Sequence, residues 1–414
     1  MSIIDKFTSN NFIKEKIHLS IVFLIALLAF SIPFGHQYGR KIIVVIFVLW
    51  ILVVKKEDFL KILKHKYILV FLLFIAIHYI SLFWSDHVKL GAHTLRVMWI
   101  YWFIPTFVFA TIIKKKDIKF IILGFVGGMF VNEIISYLIY FHLYETAYSK
   151  IHYYPVGFLN HITYSVLVAF SAILILYQAK DMKNIYFKSV YIIFFITMTT
   201  NLVISSGRTG YIVYFASLII MLFTYYKVSL KNFLQVLVFP TVIFILGYKM
   251  DASVQARVNA SFSAVEKIRH TRDYDTSFGT RLAFYPMTYD ILNQPNNSFI
   301  FGVGIGDIPS EMISSIDRTN IIKANHTHTH NYYLETYLNT GILGLTLLLL
   351  LFYYILAIKI KNKEVKFIQQ LIVINIMIAI LSDRILDITP TMFFFAFFTS
   401  IVLAQERFEK ENLS

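Results

Sequence analysis

The chain has 414 residues, of which 57% are hydrophobic and only 15% charged, with no cysteine and a formal net charge of +14; its mean hydropathy is +0.66. A soluble domain is about half apolar and about a quarter charged, so composition excludes an ordinary soluble globule, and the lack of cysteine excludes disulfides and thiolate metal sites. The positive charge lies in lysine clusters between apolar runs, which reads as a signal of membrane topology and not of nucleic-acid binding.

Apolar runs of about 15–25 residues recur along the chain. That is the length a helix needs to cross the hydrocarbon core, and lipid leaves no other way to satisfy a backbone. The first run, Ile17 to Phe34, follows a basic leader with Lys6, Lys14 and Lys16. No small-residue cleavage site appears in Ser31, Ile32, Pro33 and Phe34, so this segment reads as an anchor and not as a signal peptide. The predicted spans are about 17–34, 41–54, 67–84, 91–113, 118–142, 160–178, 186–205, 210–226, 232–249, 340–358, 366–383 and 389–405. The second is short and borrows flanking residues.

Lysines gather after every second span: Lys55, Lys56, Lys61, Lys64 and Lys66; Lys114, Lys115, Lys116 and Lys119; Lys180, Lys183 and Lys188; Lys227 and Lys231; Lys359, Lys361, Lys363 and Lys366. Cytoplasmic loops carry such clusters, which puts both termini in the cytoplasm and agrees with an even number of spans. The expected fold is therefore an all-α polytopic membrane protein of about twelve transmembrane helices. Residues 1–249 hold helices one to nine, 250–339 a periplasmic loop with short helices, and 340–414 helices ten to twelve with a cytoplasmic tail.

Two outer loops stand out. The segment Leu143 to Asn160 is rich in tyrosine (Tyr144, Tyr148, Tyr153, Tyr154), which suits a membrane interface. The other loop has about ninety residues, a length that is uncommon without a function. Within it, Leu282, Tyr285, Tyr289 and Leu292 have helical spacing, with Pro286 inside the pattern as a kink or a helix start. Phe301 to Asp307 (FGVGIGD) reads as a glycine-rich turn; it lacks the preceding strand and following helix of a nucleotide-binding loop.

Three constellations can carry chemistry. His326, His328 and His330 alternate and would share one face of an extended segment. That face could hold a metal, His330 could cap the helix that follows, or His330 could act as a general base on a hydroxyl. Arg208, in a short turn between the seventh and eighth spans, and Arg281, in the large loop, are forks suited to phosphate oxygens; each could also pair with an acid or snorkel to headgroups. Within spans, Arg96 and Glu133 suggest a structural ion pair, while Asp383 and Arg384 fall where the eleventh span reaches the outer face.

The blocks SGRTG at 206–210, GTRLAFY at 279–285, FGVGIGD at 301–307 and HNYYLETYLNTGILG at 330–344 together resemble the bacterial O-antigen ligase family and its relatives, the O-antigen polymerases and protein O-oligosaccharyltransferases. The resemblance covers the C-terminal half; the N-terminal half is similar only in hydropathy and spacing. It implies a multi-pass glycosyltransferase of the bacterial inner membrane, metal-independent and without a cofactor, with its site facing the periplasm. The donor would be a glycan on undecaprenyl diphosphate and the acceptor a sugar hydroxyl of lipid A–core. By motif, His330 would deprotonate or orient the acceptor hydroxyl, and Arg208 and Arg281 would hold the diphosphate. Asp383 would match an acidic residue used in substrate binding, and His326 and His328 have no place in the motif. A polymerase would use a second lipid-linked repeat as acceptor. From another class, a transporter or lipid flippase would also have many spans and charged faces, but no internal repeat is visible here.

Overall fold

A computed structural model describes residues 11–35, 39–152, 154–205, 207–225 and 230–411. Lys6, Tyr153, Ser206 and Lys227, singled out above, lie outside the described residues. Among those described there are helices and no β-strand. In chain order the helices are α1 Asn11–Ser31, α2 Gly39–Val53, α3 Lys56–Leu63, α4 Lys66–Ile80, α5 Val88–Met98, α6 Ile104–Ile112, α7 Ile118–Tyr140, α8 Ala147–His152 and α9 His161–Lys180. They continue as α10 Ile185–Ile204, α11 Arg208–Tyr225, α12 Leu230–Met250, α13 Ala252–Thr271, α14 Gly279–Leu292, α15 Ile308–Thr319, α16 Tyr332–Ala357, α17 Lys363–Ala379 and α18 Thr389–Glu411.

A helix stands at the place of each predicted span. Among the described residues, seven are long and apolar enough by themselves to cross a membrane, from Phe12–Phe34 to Tyr332–Ala357. The fourth predicted span is one continuous rod in three parts, because a π-helical turn at Trp99–Phe103 joins α5 to α6, where Pro105 supplies no N–H. The innermost helices are α9 and α18, whose Phe170 and Phe398 meet Phe125 of α7 edge-on while Phe394 packs tilted against it.

The long connection between α12 and α16 is mostly helical. α13 occupies its first twenty residues, longer than the short helices expected. α14 spans the predicted helical pattern but starts at Gly279 and runs through Pro286 instead of starting there. A second, smaller core of Phe284, Met287, Ile291, Met312 and Ile316 binds α14 to α15.

α16 is broken at Gly341, whose φ of 65° and ψ of −162° are not helical. A side chain there would stand 2.1 Å from the carbonyl oxygen of Ile300, so only glycine fits. The break frees backbone groups that a helix would have satisfied, and the glycine-rich segment takes them up. Ile342 N–H donates to the Phe299 carbonyl at 3.0 Å, Val303 N–H to Leu338 at 2.7 Å and Gly304 N–H to Asn339 at 3.2 Å. FGVGIGD is thus a backbone plug for a broken helix. Its Asp307 is fastened to the start of α5 by accepting hydrogen bonds from the backbone N–H groups of Asp86 and His87.

Among the described residues, the lysines at 55–61, 114–119 and 361–363 lie at the end of the bundle opposite the candidate residues. α17 begins at the lysine end, where its cap residue Asn362 hydrogen-bonds to Glu409, and ends beside Ser382 and Asp383. The expected Arg96–Glu133 ion pair is absent among the described residues. Arg96 is exposed on α5, whereas Glu133 is buried on α7, which packs against α1 and α10.

Candidate active site

The break in α16 leaves its first half, Tyr332 to Thr340, as a short polar helix whose N-terminus opens the site. Asn331 caps it: its Oδ1 accepts from the N–H groups of Tyr333 and Leu334 at 3.0 and 3.3 Å. The cap is therefore Asn331, and His330 is released from that duty. His330 itself has a φ of 48°, the left-handed region that a histidine adopts only when its surroundings hold it there. One backbone and one side-chain hydrogen bond do so. Tyr332 N–H donates to the Ile380 carbonyl at 2.9 Å and Tyr333 Oη to that of Met377 at 3.1 Å, locking the start of α16 to the end of α17.

That lock brings Asp383 to His330, with Oδ1 3.4 Å from the histidine Nδ1. The same carboxylate oxygen accepts from the Arg384 N–H at 2.7 Å. Burial alone would raise the Asp383 pKa, but the His330 hydrogen bond and charge, the Arg384 N–H and the Arg281 guanidinium outweigh it and hold the carboxyl below its ordinary range. With Nδ1 turned to an anionic carboxylate, the partly exposed imidazole keeps Nε2 for another partner.

Both predicted arginines join this place. Arg208, the first residue of α11, can stand there because Gly207 lets the turn press against Ser165, a contact that any Cβ would block at 2.2 Å. Its Nη2 donates to Ser277 Oγ at 2.8 Å and its Nη1 to Ser261 Oγ at 3.1 Å. Arg281 on α14 donates from Nη1 to the same Ser277 Oγ at 3.0 Å and from Nε to the Ser382 carbonyl at 2.9 Å. One hydroxyl therefore takes a hydrogen bond from each guanidinium. The Arg281 pKa is lowered, first by burial and then by the charge of Arg208, with Asp383 opposing. Ser382 Oγ closes the ring by donating to Thr209 Oγ1 at 2.9 Å.

His326 and His328 pack around the His330 ring, with ring centres 6.0 and 4.2 Å away. Burial lowers both pKa values, that of His328 to about 4 with Arg384 and His330 adding to the effect, so both stand as neutral imidazoles near pH 7. Among the described residues no group of three or more His, Cys, Asp or Glu is arranged to hold a metal ion. The three histidine rings pack edge-on and tilted against one another, with Phe284 beside His326 and His330.

Several participants are not singled out by the sequence. Ser277 and Ser382 are common residue types at unremarkable spacings, while Thr209 and Glu335 sit inside the blocks at 206–210 and 330–344, and only their contacts reveal their part. Glu335 fixes the segment before the helix by accepting from the Thr329 N–H and hydroxyl at 3.1 and 2.8 Å, and its other oxygen faces Arg384 at 3.6 Å.

This is a polytopic helical membrane protein that brings two arginines and three histidines together at one end of its bundle. Residues 193–349 match the family described as O-Antigen ligase, a similarity that supports a relation to the O-antigen ligase/polymerase superfamily. The match spans Arg208, Arg281 and His330, while Asp383 lies beyond it. Among curated proteins none matches the chain.

Proposed function

We propose that the protein is an O-antigen ligase that transfers a glycan from undecaprenyl diphosphate to a sugar hydroxyl of lipid A–core. The observation that carries this reading is the convergence of Arg208 and Arg281 on one hydroxyl, beside the His330–Asp383 pair. Two guanidiniums held together repel each other, a cost that a bound dianionic diphosphate would relieve. In the reaction the acceptor oxygen attacks the anomeric carbon as the bond from that carbon to the diphosphate oxygen breaks. The electron pair leaves on the diphosphate, where Arg208 and Arg281 meet the growing charge. The acceptor proton passes to His330 Nε2, and Asp383 orients the ring and steadies the imidazolium.

In the same proposal twelve spans cross the inner membrane, both termini are cytoplasmic, and the site faces the periplasm. Support comes from the lysine clusters at the end of the bundle opposite the site, as cytoplasmic loops require. The reaction as written draws on these side chains alone, in line with the metal-independent chemistry that the resemblance implies. Reconstitution in liposomes tests the whole reading. With lipid-linked glycan and lipid A–core supplied, capped lipid A–core is the expected product. Glycan lengthening on the lipid diphosphate would make the protein a polymerase, and movement of donor without any new glycosidic bond would make it a transporter.

A further inference from the structure

A cleft of about 270 Å³ lies beside the site, on the far side of the Glu335–Arg384 contact. α5, the glycine-rich plug, the start of α15, the first half of α16 and the segment from Arg384 to Met392 enclose it. Neither His330 nor the arginines 208 and 281 line it. It nevertheless shares a wall with the site: Asp383 Oδ1 takes His330 on one side and the Arg384 N–H on the other, and Arg384 lines the cleft.

Its chemistry is mixed in a particular way. Donors come from Arg384, Asn339 and His93, and acceptors from Glu335, Asp387 and Thr94. Sugar hydroxyls both donate and accept, so they match such a set. A phosphate does not, because one guanidinium faces two carboxyl groups. A lipid tail does not either, since it would strip water from all of these groups and return no hydrogen bond. Apolar stretches at Val97, Ile305 and Met392 offer surface to the C–H face of a pyranose.

We infer that this cleft is a saccharide subsite, holding the sugar that flanks the one reacting at His330. The inference rests on the glycosyltransferase reading. The flanking sugar belongs either to the acceptor core or to the donor glycan, and the hydroxyl chemistry is common to both.

The full chain in lipid nanodiscs decides by saturation-transfer NMR with two probes: core oligosaccharide cleaved from lipid A, and repeat-unit glycan released from its lipid diphosphate. One of them is expected to give saturable signals, and its identity names the source of the sugar. His93→Ala, on an exposed side chain, and Asp387→Asn are each expected to weaken that binding by about fivefold, the worth of one hydrogen bond. Absence of saturable binding by both probes, or unchanged affinity in both variants, overturns the subsite. The two readings fail separately. Binding that weakens in the variants while wild-type protein transfers no glycan sinks the proposed reaction alone, and transfer with affinity untouched by either variant sinks the subsite alone.

Discussion

His330 and Asp383 stand 53 positions apart in sequence and face each other across 3.4 Å, Nδ1 to Oδ1. Neither residue is held there by its own helix. The pairing depends on the start of α16 bonding to the end of α17 through Tyr332 and Tyr333. The proposed base and the carboxylate proposed to orient it thus arrive on separate segments, and each can be removed without the other.

His330→Ala should lower kcat for glycan transfer by about 10²–10⁴-fold, the usual worth of a general base, with little change in donor KM. Asp383→Asn keeps the imidazole and should cost less, on the order of 10–100-fold, as loss of an orienting charged hydrogen bond. Single-turnover kinetics with lipid-linked donor checks the order. Equal losses would place Asp383 in proton transfer itself.

Arg208→Lys and Arg281→Lys retain the charge and lose the fork. Each should raise donor KM by about tenfold, equivalent to about 1.4 kcal/mol, since a lysine meets a diphosphate as a point charge. Ser277→Ala removes only the hydroxyl that both share and should change KM less than either arginine variant. Donor titrations measure all three. An Arg281→Lys enzyme with unaltered donor KM would remove that residue from the diphosphate site.

The Asp383 carboxyl lies below its ordinary value of 3.8, so its contribution to stability is complete above that value and is lost as pH falls through the lower folded one. The Tm difference between wild type and Asp383→Asn should therefore be present at about pH 5 and shrink as pH falls below about 4. Thermal unfolding in detergent over that range reads it. A difference that stayed unchanged from about pH 5 to pH 3 would contradict the assignment.

Gly341→Ala combines a left-handed backbone with a Cβ 2.1 Å from a carbonyl oxygen. It should cost about 1–3 kcal/mol from backbone strain alone, with the steric clash added. The plug at 299–304 would separate from α16, so amide exchange at Val303 and Ile342 should rise along with the fall in Tm. Unchanged exchange at both amides would show that the break survives without glycine.

The sequence by itself determined the membrane class, the places of the helices, and three of the side chains that meet at the site. Those features follow from local rules: apolar length fixes a span, lysine excess marks one end of the bundle, and the motifs at 206–210, 279–285 and 330–344 mark the arginines and the histidine that meet. Only the tertiary structure decided that Asn331 and not His330 caps α16, that Arg96 and Glu133 stay apart, and that Ser277 joins the two arginines. It also decided that the glycines of FGVGIGD fill a broken helix. The physical reason is the same in each case: a hydrogen bond between distant segments depends on how helices pack, and the ordinary serines, threonines and carbonyls that receive those bonds leave no pattern in the chain.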